Sequence, residues 1–417
     1  MHQAINPFPW ETLQEKSSPQ INQTNGPNNS YASLRLFGKS KSNVRVTLYR
    51  DHHAWCPYCQ KIWLWLEWKQ IPYRIKKITM RCYGKKESWY LRKVPSGILP
   101  AIELDNKIIT ESDVILLSLE KVFGPLGSPL LNNETMKLRN LERQLFRAWC
   151  IWLCNPSLNK GQEDRRKQQF QQLAEGMNQL LKDSKGNWLD PVVNKLEGSN
   201  PGSGDIIFIP YLERMNASLT YYKGFCLRQE YKFIDNWFKS LESFDEYLGS
   251  QGDFHTHSHD LPPQMGGCWF NSTAKQKELS HLIDIGEGLG DLELSSSNLQ
   301  KSNAESIALA RVVKHKDCIK KVNPMGENFF DQPLRAALTN MITEKNCIPN
   351  QGSAAGLRYL RDRISVPRDM PLLAARKLRQ SLEKTANLDG PEQGPKIPKS
   401  NRLDQNPEPF LQTNSDD

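Results

Sequence analysis

The chain has 417 residues and a formal net charge of +9, with 38% hydrophobic and 24% charged residues. Its 11 Trp and 12 Tyr supply enough apolar material to exclude wholesale disorder. No run approaches the roughly 18–20 consecutive apolar residues that a membrane span needs.

At about 100–200 residues per domain, the length predicts two to four domains. The opening MHQAINPFPW has neither a basic n-region nor an apolar h-region, so no secretory signal is expected. Nine Cys is an odd number on a large chain, which fits free thiols in a reducing, cytoplasmic compartment better than a disulfide framework. The charge is uneven: residues 251–300 carry −5, 301–417 carry +5, and 1–250 hold +9. A basic surface suits nucleic acid, an anionic membrane or a small anion. No nucleic-acid module accompanies it, and the simpler reading is a solvated surface.

Residues 1–43 are rich in Asn, Ser, Gln and Pro and read as a loose arm, pinned at most by Phe8, Trp10 and Leu13. Residues 44–50 (VRVTLYR) alternate as a half-buried strand does. A loop follows over 51–55, then a helix over 57–70 rich in Trp and Leu. A second strand is predicted over 73–80 and a short helix over 85–93. Segments 100–104 and 107–110 flank Asp105-Asn106, a hairpin-turn signal. A helix over 111–123 stops at Gly124-Pro125. That β-α-β-α-β-β-α order over 44–124 predicts a small mixed sheet flanked by helices.

From about residue 130 the strand signals vanish. Helical periodicity covers 134–154, 163–182, 205–222 and 230–248, giving an α-helical domain over 130–250. Residues 251–303, rich in Gly, His, Ser and Pro, read as a long connecting loop. Helices resume over 304–388: Leu334, Ala337, Leu338, Met341 and Ile342 share one helix face. From Asp389 to the end the tail reads as disordered.

The sharpest motif is Cys56-Pro57-Tyr58-Cys59, directly after a strand and opening a helix. A helix N-terminus favours an anion, so the position of Cys56 promotes the thiolate. Pro57 fits the first turn, where its missing N–H costs nothing. Cys59 lies on the same helix face, within plausible disulfide reach. His52 and His53 lie just upstream; they could add positive charge, but no role is assigned to either. A structural zinc site would need a second Cys pair. The i, i+4 pair Cys150 and Cys154 reads as core, so no metal site is expected. A Pro opening a strand about 40 residues later, Pro100 in VPSGILPAI, matches the cis-proline of thioredoxin-like folds. Leu99 before it could offer its backbone to an extended peptide. Glu111-Ser112 opens the next helix, a natural seat for a carboxylate.

With these motifs, residues 44–250 resemble a cysteine-type glutathione transferase with a glutaredoxin-like site. Pro95-Ser96-Gly97-Ile98-Leu99-Pro100 resembles the family's P-x-G-x-[VL]-P, Glu111-Ser112 its E-S pair, and Gly204-Asp205-Ile206 through Pro210 its S-x-A-D-I…P segment. The resemblance implies an α/β thioredoxin-like domain, an all-α C-terminal domain and, here, a further helical extension. It makes Cys56 the nucleophile, with Cys59 as its partner. Leu99 would meet the cysteinyl backbone of glutathione, Glu111 and Ser112 the γ-glutamyl end, and Lys86 the glycine carboxylate. Pro57, Tyr58 and Pro100 complete that set. Asp205 would be structural; Gly202 stands where the family usually has a capping Ser.

The segments 259–269 and 357–378 resemble the extension of the iota class, known mainly from cyanobacteria and other photosynthetic organisms. The resemblance implies glutathione as co-substrate and thioltransferase or dehydroascorbate reductase activity. It also carries a possible homodimer. Two alternatives stay open, a glutathione-conjugating transferase and a glutathione or iron–sulfur binding protein.

Three other features draw plainer readings. His255, His257 and His259 could bind a metal from an extended segment, but read as a polar loop, with packing near the active-site cleft as a variant. Trp63, Trp65 and Trp68 read as core, and the arginines of 358–368 as solvated helix-face charges.

Overall fold

The structure, a computed structural model, describes residues 5–17, 29–184, 186–195, 200–299 and 303–389. The predicted disordered tail falls outside these residues except for Asp389, which accepts hydrogen bonds from Gly352 N and Ala354 N at 2.8 and 2.9 Å. No helix among the described residues is long and apolar enough to cross a membrane.

The N-terminal half is thioredoxin-like. Strands β1 (Leu34–Arg35), β2 (Val46–Asp51), β3 (Tyr73–Ile78), β4 (Ala101–Leu104) and β5 (Lys107–Thr110) form one sheet in the order β1-β3-β2-β4-β5. β2 and β3 run parallel; the other pairings are antiparallel. Asp105 and Asn106, joining β4 to β5, both have positive φ (49° and 66°), as a two-residue hairpin turn requires. Helix α1 (Trp10–Glu15) precedes the sheet, and α2 (Pro57–Trp68), α3 (Ser88–Lys93) and α4 (Ser112–Phe123) flank it. Val46 and Leu48 of β2, Ile62, Trp65 and Leu66 of α2, and Ile115 and Leu119 of α4 are fully buried in one core. Trp63 and Trp68 join them.

The helical half follows: α5 (Asn133–Cys154), α6 (Lys160–Asp183), α7 (Ser203–Ile206), α8 (Ile209–Lys223), α9 (Leu227–Glu230), α10 (Lys232–Leu241) and α11 (Asp245–Leu248). Then come α12 (Phe254–Met265), α13 (Ala274–Asp284), α14 (Ser296–Leu299), α15 (Ala304–Val322), α16 (Glu327–Thr343), α17 (Ala354–Arg363) and α18 (Leu372–Leu388). Helices α5–α10 share the core of the sheet domain. Helices α15–α18 build a second core around Leu309, Phe330, Leu334, Leu338, Leu357 and Leu378.

Three sequence expectations are corrected. The segment 251–303 is not a long loop: it holds α12, α13, α14 and a short 3₁₀ turn, Gly290–Leu292. α12 escapes a hydrophobic-pattern search because its buried residues are mostly polar: His255, Thr256, His257, Ser258 and Asp260 lie with Phe254 and Leu261. Asp253 caps it by accepting from Thr256 N at 2.9 Å.

The N-terminal arm is likewise not loose where described. Leu13 of α1 is fully buried in the second core, Trp10 Nε1 donates to Asp331 at 2.9 Å, and Phe8 N donates to Thr339 Oγ1 at 2.9 Å. Further on, Tyr31 OH donates to the Asp369 carbonyl at 2.6 Å, while β1 pairs with β3. The same arm therefore touches both the sheet and the extension.

The arginines of 358–368 are mostly paired and shielded. Arg358 and Arg361 grip Glu383, and Arg368 binds Asp369 at 2.8 Å.

Asp205 is fully buried and accepts from Leu189 N (2.8 Å), Gly202 N (3.1 Å) and Trp237 Nε1 (2.8 Å). The glycine at 202 has a steric reason: a Cβ there would lie 2.4 Å from Asp190 Cγ. Asp190 in turn accepts from Ser128 N, Val192 N and Gly204 N. Asp205→Ala would orphan several buried N–H groups at once. It is expected to lower unfolding free energy by about 2–4 kcal/mol, read as a shifted urea midpoint; a loss below about 1 kcal/mol would contradict that structural role.

Candidate active site

β2 ends at Asp51, a tight turn follows with Ala54 at φ 55°, and Cys56 is the N-cap of α2, with Pro57 in the first turn. Trp55 N donates to Asp51 Oδ2 at 2.6 Å and fixes the turn. One ligand-type atom from each of Asp51, Cys56 and Cys59 lies within 4.8 Å of the other two. The two thiols therefore sit within easy reach of one another, beside a carboxylate. Cys56 is 7% exposed and Cys59 1%, whereas Tyr58 between them is 36% exposed. The sulfurs lie below the surface, with Tyr58 at the rim.

The two cysteines occupy different environments. Burial pushes the Cys59 thiol well above its ordinary value, and the neighbouring Cys56 and Asp51 push the same way. Asp51 is fully buried, and its Oδ1 receives no hydrogen bond among the described residues. This aspartate was not singled out from sequence. Its signal was available: an acidic residue closing an apolar strand five positions before Cys56. His52 does not supply positive charge, because burial lowers its pKa to about 3, with Lys77 and Arg368 adding to the effect. His53 is buried and stacks on Tyr83 with ring centroids 3.5 Å apart.

One nearby cation is a residue the sequence did not flag. Lys61, one turn into α2, binds Asp113 at 2.8 Å, and Arg139 also contacts Asp113. The Lys61 pKa is lowered to about 7, chiefly by burial, with Arg139 and Arg143 adding to the effect and Glu142 and Cys56 opposing it. Lys61 Nζ lies 5.9 Å from the Tyr58 and Tyr211 rings.

α8 secures the site from the helical half. Arg214 Nη1 donates to Gln60 Oε1 at 2.8 Å, and Nη2 donates to the Trp55 carbonyl. Glu213 accepts from Gln60 Nε2 (3.2 Å), Gly252 N (2.7 Å) and His257 Nε2 (2.7 Å). Burial would raise the Glu213 carboxyl, but the His257 and Arg214 interactions outweigh it and hold it below the usual range. So His257 is no solvated loop residue; it joins α12 to the active-site framework.

The other expected residues gather at the same end of the sheet. Tyr49 of β2 pairs with Ala101 of β4, and Ala101 pairs with Thr110 of β5. Pro100 and Glu111 flank that row, one residue beyond each strand. The Leu99–Pro100 peptide bond is cis. Glu111 is exposed, with φ 66°, and Ser112 is buried at the start of α4. Leu99 packs partly buried against the cluster of Tyr49, Ile78, Tyr90, Val94 and Ala101. Lys86 lies near Cys56 and Cys59 in charge terms, but its Nζ donates to the Thr79 carbonyl at 3.0 Å. Its stem runs beside Gly97, where φ is +65°.

Residues 55–122 match the family model described as glutathione S-transferase, N-terminal domain. Among curated proteins, the chain is 24% identical over 200 residues to the chloroplastic glutathione S-transferase DHAR3 of Arabidopsis thaliana, covering 48% of this chain and 69% of that protein. It is 24% identical over 193 residues to a probable chloroplastic glutathione S-transferase DHAR2 of Oryza sativa subsp. japonica, covering 46% of this chain and 64% of that protein. Among solved structures, the dehydroascorbate reductase of Chlamydomonas reinhardtii aligns at 20% identity and a TM-score of 0.40, covering 49% of this chain and 91% of that one. These matches span about half of the chain or less. Residues 55–122 thus carry a glutathione S-transferase N-terminal domain, and the homologues support an enzyme of the glutathione transferase family.

Proposed function

We propose that the chain is a glutathione-dependent thiol–disulfide oxidoreductase of the thioltransferase or dehydroascorbate reductase kind. The observation that carries this reading is a cysteine, not a Ser or Tyr, at the N-cap of α2, with a second thiol and a buried carboxylate within 4.8 Å. A hydroxyl there would steady the glutathione thiolate for conjugation, whereas a thiol forms a disulfide with it. Several curated relatives carry dehydroascorbate reductase names, and these include both chloroplastic and cytosolic ones. All nine cysteines are free, as a reducing compartment such as the cytoplasm would keep them.

In the proposed cycle the Cys56 thiolate attacks the glutathione sulfur of a mixed disulfide. The Cys56–glutathione disulfide forms, and the substrate leaves as a thiolate that takes up a proton. A second glutathione thiolate then attacks that glutathione sulfur. Oxidised glutathione departs and the Cys56 thiolate returns. Leu99, Glu111, Ser112 and Lys86 would hold the tripeptide, with Pro57, Tyr58 and Pro100 shaping its seat. Lys86 would turn from the Thr79 carbonyl to the glycine carboxylate.

The environment of Cys59 argues for glutathione, rather than Cys59, as the resolving thiol. A thiol pushed well above its ordinary value is a scarce nucleophile at neutral pH. Asp51 is the group placed to accept its proton if an internal disulfide does form.

Glutathione-dependent reduction of a mixed-disulfide substrate tests the reading directly. Cys56→Ser is expected to lose at least about 100-fold in rate, the usual scale for an essential nucleophile. Cys59→Ser is expected to stay within about threefold of wild type. Equal activity in wild type and Cys56→Ser would remove the proposal.

Lys61 gives a pH signature. It is charged below about 7 and neutral above, so its support for a nearby thiolate is present in acid and fades as pH rises. Alkylation of Cys56 in Lys61→Met is therefore expected to be about three- to tenfold slower than wild type at pH 6, with the gap closing by pH 8.5. His52→Asn, by contrast, should leave the pH dependence between 5 and 8 unchanged, since His52 with a pKa of about 3 is neutral throughout.

A further inference from the structure

We propose that His255, His259 and Asp284 form a binding site for a divalent transition-metal ion of the zinc type, outside the thiol chemistry. His255 and His259 are four residues apart on α12, so they share one face of the helix. Asp284 is the last residue of α13. One ligand atom from each of the three lies within 4.8 Å of the others. His259 Nε2 already lies 2.7 Å from Asp284 Oδ1, and the two imidazole rings have centroids 4.5 Å apart. A tetrahedral zinc with bonds of about 2.0–2.1 Å spaces its ligands about 3.3 Å apart. Small side-chain rotations close the difference.

The independent observation is His255 itself. It is 3% exposed, and its Nε2 has no hydrogen-bond partner among the described residues. Its closest recorded oxygen, Asp362 Oδ1, is 3.7 Å away, too far for a hydrogen bond. A buried ring nitrogen left without a partner is costly, and a metal ion would use its lone pair. Around His255 stand the carboxylates of Asp253, Asp284 and Asp362; Arg379 pairs with Asp253, and Arg361 with Asp362.

Tyr221 OH donates to both Asp284 oxygens at 3.1 and 3.2 Å, the kind of outer contact that orients a ligating carboxylate. The side chain of Asp284 is 26% exposed and that of His259 10%, so an ion can enter from solvent and a water can complete its coordination. Two imidazoles and one carboxylate match zinc better than calcium or magnesium, which prefer all-oxygen shells. The ion would tie α12 to the end of α13. Between its two ligands, α12 carries His257, which holds Glu213 and through it the active-site helix.

The experiment uses the full chain carrying Cys56→Ser and Cys59→Ser, so that the other close group of possible ligands (Asp51, Cys56, Cys59) loses its sulfurs. The protein is stripped with a chelator and titrated with Co²⁺, then with competing Zn²⁺. One equivalent of Co²⁺ is expected to bind, with visible bands of four-coordinate geometry and no thiolate charge-transfer band. Affinity is expected to fall at least tenfold in His259→Gln and in Asp284→Asn, each checked for folding by circular dichroism. X-ray absorption on the zinc-loaded protein is expected to show imidazole and oxygen neighbours, and it decides the matter even if the variants fail to fold. No saturable binding, sulfur in the metal shell, or affinity within twofold of the parent in both folded variants would each overturn the proposal.

Discussion

The active site depends on two adjacent charges in α8. Glu213 and Arg214 are both buried, and burying charge is expensive unless every donor and acceptor is used. Here the expense is offset by position. Arg214 reaches the Trp55 carbonyl and the Gln60 side chain on either side of Cys56. Glu213 reaches Gln60 in the same helix and, in the other direction, Gly252 and His257. The turn that presents the thiol is thus held by the helical half as well as by its own sheet. Removing either charge would leave its partner buried and uncompensated, which is the more damaging way to break such a pair.

The same arrangement gives the extension a structural place. It is not attached at one end only. Residues 29–35 run between the sheet and the chain near 367–369, with Tyr31 bonded to Asp369 and β1 bonded to β3. α1 lies in the extension's own core through Leu13. Val366 N donates to Thr256 Oγ1 at 2.9 Å, and Arg379 pairs with Asp253, so α12 is held from the far side as well. α12 is consequently a polar layer between two apolar cores, one around the sheet and one around α15–α18.

That layer explains which parts were legible in the sequence. The sheet, the Asp105-Asn106 turn and the helix opened by Pro57 follow from period-two alternation, turn chemistry and a capped N-terminus. Each is a local rule acting on apolar or backbone-special residues. α12 obeys a different logic: its buried face is largely His, Thr, Ser and Asp, and several of them meet partners elsewhere in the chain, such as Glu213 for His257 and Val366 N for Thr256. A pattern search reads such a face as solvent-exposed. Arg358 and Arg361 mislead for the same reason, since the carboxylate they share, Glu383, is distant in sequence. β1 is missed because two residues give too short a period to detect. Gly202, which departs from the family's pattern, is intelligible only once Asp190 is seen occupying the space of a side chain.

The pair of thiols shows the limit of motif reading most directly. The sequence reading makes Cys56 the nucleophile and Cys59 its partner on one helix face, but leaves the part of Cys59 in turnover open. Their surroundings separate them: Cys56 sits at the helix N-cap with the Lys61 cation acting on it, and Cys59 is sealed one turn deeper against Asp51. A carboxylate beside a buried thiol works in two opposed ways. Its charge keeps the neighbouring proton on sulfur, yet its free oxygen offers the one local place for that proton to go. In the proposed cycle, a Cys59 in this setting would be protected from oxidation while Cys56 turns over with small thiols. It is engaged only when a disulfide at Cys56 persists long enough for the proton to move. On the proposed function, the outer cysteine would serve turnover and the inner one rescue.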